Sequence, residues 1–158
     1  MSIYTNHTKR QLAEGRLAIG MGLRLARSVD IATIAKTCGY DWLFIDMEHN
    51  SMDVDTAAQI SMAALPVGIT PIVRVPGKEH HHASRVLDAG AQGIVVPHVD
   101  SVEEAERAVA YCKYPPIGHR SAMGTLRTAR RSSSSCSRRP PPSRRRTRSP
   151  RCRASTSC

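Results

Sequence analysis

The sequence predicts an α/β fold, the N-terminal half of a (β/α)8 TIM barrel, followed by a disordered tail. Three observations carry this. Apolar strand-like runs alternate four times with helical patterns between residues 17 and 114. The strands are apolar on both faces, as in a parallel sheet covered by helices. From Leu126 onward the composition changes to Arg, Ser and Pro, with no acid, no aromatic and no aliphatic residue larger than Ala after Leu126 itself. Such a segment has nothing with which to form a core.

The elements follow in order after a short polar opening. "LAIGMGLRL" (17–25) has strand character, and the segment from Ser28 to Gly39 reads as a helix, with Ser28 or Asp30 as its cap and Gly39 as its stop. "DWLFIDME" is the second strand. A helix over 51–68 starts near an Asp and ends at Pro66 and Gly68. "ITPIVRVPG" is the third strand, followed by the helix "HHHASRVLDAG". "AQGIVVPHVD" is the fourth, followed by "SVEEAERAVAYCKY", in which Ser101 and Glu104 have capping-box spacing. No glycine-rich phosphate loop follows the first strand, since "GMGLRLA" is not the G-x-G-x-x-G of a dinucleotide fold, so the barrel is preferred to a doubly wound sheet. A full barrel takes about 250 residues and eight strands. This chain offers four β–α units in residues 1–125.

The formal charge of +10 is confined to the tail: residues 126–158 carry eleven Arg and no acid, whereas residues 1–125 hold twelve Lys and Arg against thirteen Asp and Glu. Two readings of the tail follow. An Arg- and Ser-rich segment binds DNA or RNA through phosphate neutralisation. Alternatively, the segment is out-of-frame translation of a GC-rich gene. Back-translating Ser149–Cys158 and reading from the third base returns Ala-Ala-Val-Pro-Gly-Ile-Asp-Val-Leu, a turn leading into a strand, which favours the second reading. No run of eighteen apolar residues is present, so no membrane span is expected. The polar amino terminus argues against a signal peptide and for the cytoplasm. Cys38 and Cys112 read as buried, reduced thiols; Cys136, Cys152 and Cys158 fall in the tail, and no spacing makes a zinc site or disulfide framework.

In a parallel α/β sheet the chemistry gathers at the carboxyl ends of the strands. There the sequence places Asp46, Glu48 and His49 after strand two, Arg74 at the end of strand three and His98 after strand four. A guanidinium inside an apolar strand needs an anionic ligand or a carboxylate, and Arg offers a planar fork for either. His is suited to general base work near neutral pH. Together they suit removal of a proton next to a carbonyl whose carboxylate or enolate oxygen is held by Arg74. His98 is evenly balanced between a site and a surface role. His80, His81 and His82 read as a solvated helix entry, because successive side chains diverge there.

"GYDWLFIDMEHN", "TPIVRVPG", "VLDAGAQGIVVPHVDSVEEAERAV" and "YPPIGHRS" resemble the HpcH/HpaI aldolase/citrate lyase family, the metal-dependent class II pyruvate aldolases, from about residue 3 to 125. The resemblance implies reversible aldol cleavage of a 4-hydroxy-2-oxo acid to pyruvate and an aldehyde, and a homo-oligomer, commonly a hexamer. It implies His49 as catalytic base, Asp88 as the carboxylate that raises its basicity, and Arg74 as the group that contacts the pyruvate or enolate oxygens. Asp46 is a further partner for His49, and Glu48 has no assigned role. It also implies a divalent cofactor, Mg2+, Mn2+ or Co2+. The family's Glu and Asp metal ligands lie beyond the matching region and no residue here corresponds to them, so the chain reads as truncated and its activity as impaired.

Overall fold

The structure, a computed structural model, describes residues 4–121. The Arg-rich tail and the expectations that fall on it, its disorder, its nucleic-acid binding and its three cysteines, lie outside the described residues.

Helix α1 (His7–Ala13) comes first, where the sequence suggested only a polar opening. Asn6 caps it, its side chain accepting from the Lys9 N–H at 2.8 Å. Thr8 then ties the helix to the amino ends of two strands: its hydroxyl donates to the Asp41 carbonyl at 3.1 Å and its N–H to Thr70 Oγ1 at 3.4 Å. Four β–α units follow in the expected order. They are β1 (Gly20–Leu23) and α2 (Ile31–Thr37), β2 (Trp42–Asp46) and α3 (Val54–Ala64), β3 (Thr70–Arg74) and α4 (His80–Asp88), β4 (Gly93–Val95) and α5 (Val102–Cys112).

All three strand pairings are parallel, in the order β1-β2-β3-β4. Because side chains alternate across a strand, the sheet has two distinct faces. Leu23, Leu43, Ile45 and Val73 belong to one. They are buried in a single cluster with Ala32 and Ala35 of α2, Ala57, Ile60 and Ala64 of α3 and Val86 of α4. Small alanines at helical spacing let these helices approach the sheet closely. Gly22, Phe44, Ile72 and Gly93 form a register row on the other face, where Trp42, Phe44 and Ile72 are only half-buried. The apolar core thus lies between the sheet and its helices.

Helix starts follow their caps. The Asp53 side chain accepts from the Thr56 N–H at 2.7 Å, and Ser101 Oγ accepts from the Glu104 N–H at 3.2 Å. The returning half of the box differs from expectation: Glu104 accepts from the N–H of Asp100, one residue earlier, and pairs with Lys78 at 2.8 Å. Asp30 is the cap residue of α2 but makes no side-chain cap hydrogen bond. Both cysteines depart from the buried assignment. Cys38 is exposed because it lies just past Thr37 at the solvent end of α2, and Cys112 is partly exposed because α5 has no buried residue.

Candidate active site

The register sets the first contact. Asp46 ends β2 and Arg74 ends β3, and the two are direct register partners, so their side chains leave the same face about 4.8 Å apart. The result is a two-pronged ion pair: Arg74 Nε donates to Asp46 Oδ1 at 2.9 Å and Nη2 to Oδ2 at 2.6 Å. Asp46 is almost wholly buried. The Arg74 hydrogen bonds hold its carboxyl down at about 2, against desolvation that pushes the other way, and Asp46 in turn raises the Arg74 pKa. The guanidinium carbon also lies 5.5 Å from the Phe44 ring centroid, a cation–π contact.

Asp46 also shapes the chain that follows it. Oδ1 accepts from the Glu48 N–H at 3.0 Å and the His49 N–H at 3.4 Å, an Asx-type turn that stops the strand and aims the next two side chains. Glu48, largely buried, becomes the hub. Its Oε2 lies 3.1 Å from Arg74 Nη1 and 3.6 Å from His49 Nε2, and its Oε1 lies 2.8 Å from His98 Nε2. His98 reaches it from beyond β4 with φ 52°, a left-handed conformation that a non-glycine residue adopts at a cost. His49 and His98 are both well exposed.

The structure therefore brings together Asp46, His49 and Arg74, with Glu48 and His98 added. It does not bring Asp88 to them. Asp88 is the last residue of α4 and so precedes β4, at the amino ends of the strands, whereas His49 follows the carboxyl end of β2. Its carboxylate is bound to the buried Arg120 at 2.5 Å, and the guanidinium of Arg120 stacks 4.7 Å from the centroid of Tyr114. The His49–Asp88 pairing is not made within this chain. Glu48 is the acid that stands beside His49 instead. Sequence reasoning left it unassigned, although its position two residues past a strand end, between two histidines and an arginine on neighbouring strand ends, was the signal. His80–His82 open α4 as a helix entry, the His80 and His81 rings meeting edge to face and the His81 and His82 rings tilted, with His80 and His81 exposed.

Comparison with known proteins decides the family, because residues 21–132 match the HpcH/HpaI aldolase/citrate lyase profile. The chain belongs to that family. Among relatives, the 4-hydroxy-4-methyl-2-oxoglutarate aldolase of Hapsidospora irregularis is 41% identical over 125 residues, covering 78% of this chain and 46% of that protein. A hydroxypyruvate/pyruvate aldolase of Sagittula stellata is 36% identical over 130 residues, 82% of this chain and 51% of its own length. Of solved structures, the HpcH/HpaI aldolase from Desulfitobacterium hafniense superposes with a TM-score of 0.70 at 33% identity, covering 73% of this chain and 45% of that one. Macrophomate synthase gives 0.65 at 30% identity, with 77% and 42% covered. This HpcH/HpaI chain thus spans about half the length of the relatives it matches.

The family is in general dependent on a divalent metal. The residues described here do not fit one: no group of three or more His, Cys, Asp or Glu among them could hold an ion, and both site carboxylates are already engaged by Arg74. No helix among the described residues is long and apolar enough to cross a membrane.

Proposed function

We propose that this site serves carbon–carbon lyase chemistry of the pyruvate aldolase type, in the cytoplasm, on a 4-hydroxy-2-oxo acid. The observation that carries the reading is Arg74, a partly exposed guanidinium fixed on three donors by two carboxylates, with the exposed imidazole of His49 beside the same Glu48. A guanidinium so anchored keeps its two remaining N–H groups aimed at incoming oxygens, without the entropy cost of finding its pose. It suits the carboxylate and enolate oxygens of pyruvate.

In the cleavage direction His49 takes the proton of the 4-hydroxyl, the C3–C4 bond breaks, and the electron pair is left on the pyruvate enolate as the aldehyde departs. Arg74 stabilises the charge on the enolate oxygen. A proton then returns to C3. Glu48 orients His49, and Asp46 holds Arg74. Asp88 is left out of the site, as the partner of Arg120. No step is routed through a metal, whether Mg2+, Mn2+ or Co2+.

The test is exchange of the pyruvate methyl protons in D2O, followed by proton NMR on the intact chain. Exchange above the buffer rate, saturable in pyruvate and abolished by His49→Ala, is the expected result. Arg74→Lys, which keeps the charge but loses the fork, should weaken pyruvate binding roughly tenfold or more, the scale of one charge-assisted hydrogen bond. Exchange that is unchanged by His49→Ala would end the reading.

A further inference from the structure

Of the side chains gathered at the carboxyl ends of the strands, His98 has no part in the proposed cleavage. Its backbone sets it apart: with φ 52° it is the only non-glycine residue with a positive φ among the described residues. Such a conformation persists where surrounding contacts hold it, and it clusters at functional sites. The hydrogen bond its ring makes is to Glu48, Nε2 to Oε1 at 2.8 Å, across 50 residues of sequence. A carboxylate accepts and does not donate, so this bond puts the ring proton on Nε2. Glu48 follows β2, Arg74 ends β3 and His98 follows β4, so one carboxylate joins three consecutive strand ends.

We infer that His98 is a positioning residue of this site: its Nε2–H fixes Glu48 by Oε1, so that Oε2 stays between Arg74 and His49 while the base moves its proton. The inference rests on the reading of His49 as that base. Glu48 needs the second hold. Its other two contacts both run through Oε2, to Arg74 Nη1 at 3.1 Å and to His49 Nε2 at 3.6 Å, so the His98 bond is the shortest of the three and the only one on Oε1. The last torsion of a Glu side chain is broad and roughly two-fold. Held by one oxygen alone, the carboxylate can turn about that bond and meet Arg74 with either oxygen. Nothing would then keep an oxygen beside His49, because a 3.6 Å contact is too long to act as a hydrogen bond. Asp46 has no such need, since four hydrogen bonds fix both of its oxygens.

Three variants of the full chain separate positioning from folding. His98→Gly removes the ring and relieves the backbone, His98→Ala removes the ring and keeps the strain, and His98→Gln keeps an N–H donor at the reach of Nε2. In the pyruvate exchange assay, His98→Gly and His98→Ala should each lower the saturated rate roughly tenfold, the scale of one hydrogen bond to a charged group. The pyruvate concentration at half-saturation should stay within about twofold, because Asp46 still holds Arg74. His98→Gln should recover most of the lost rate. A His98→Gly rate equal to wild type, a His98→Gln as slow as His98→Gly, or a half-saturation that rises while the rate holds would each overturn the inference. Nitrogen-15 spectra of the histidine rings test it without turnover. The His49 ring signals should move in His98→Gly and return in His98→Gln, and signals unmoved by either variant would overturn it. Where the wild-type chain shows no exchange yet the His49 signals respond in this way, the proposed chemistry fails and the positioning contact is supported.

Discussion

At the scale of single residues, Asp46 does the most. It accepts from Arg74 twice and from two backbone N–H groups, so a single carboxylate both neutralises a strand guanidinium and folds the turn that presents Glu48 and His49. Its folded pKa, about 2, lies below the ordinary 3.8. The stabilisation is therefore fully present above about pH 4 and is lost as the pH falls from there through 2; a shift of this size is on the order of 2 kcal/mol. Denaturant unfolding measured from pH 5 to 2 should show that loss, and Asp46→Asn should flatten it while costing about 3 kcal/mol at pH 7, because it removes the two-pronged carboxylate and leaves Arg74 with Glu48 alone. A wild-type profile as flat as that of the variant would mean the pair contributes nothing. His98 gives a second test. Its φ of 52° suits glycine better than alanine, so His98→Gly should be more stable than His98→Ala by about 1 kcal/mol in paired thermal melts, and both variants lose the contact to Glu48.

At the scale of elements, the helices hold by small residues and turns rather than by bulk. Gly90, at the C-terminal end of α4 with φ 99°, shows this: a Cβ there would meet Met62 Sδ at 3.0 Å and Leu65 Cδ1 at 3.2 Å. Gly90→Ala combines backbone strain with pressure on α3 and should cost roughly 1–3 kcal/mol by denaturant midpoint. Element type and order were legible because the apolar spacing of "WLFID", "TPIVR" and the alanine-rich helices is strong. Ends were not. β4 is only Gly93–Val95, where ten residues read as strand, since an edge strand can pair on one side alone. α1 escaped notice because its sequence, "HTKRQLA", shows no apolar stripe; its fixed position comes from Thr8 reaching Asp41 and Thr70, partners 33 and 62 residues away, which local periodicity cannot display. That Asp46, His49 and Arg74 gather at one end of the sheet was legible, because the strand ends were. Glu48 as a hub required knowing that His98 turns back through a left-handed residue, and Asp88, expected beside His49 on resemblance alone, stands before β4 at the other end of the sheet.

At the scale of the whole molecule, cohesion should be graded from the centre outward. β2 and β3 are paired on both sides and contribute Leu43, Ile45 and Val73, all essentially unexposed, whereas β1 and β4 end the described sheet and α5 has no fully buried residue. Regions with few buried contacts open with little free energy, and amide exchange reads that directly. In hydrogen–deuterium exchange at sub-micromolar concentration, Trp42–Asp46 and Thr70–Arg74 should exchange slowest, with Gly20–Leu23 and Gly93–Val95 faster and Val102–Cys112 fastest. Equal protection of β1 and β2 would contradict the graded core itself.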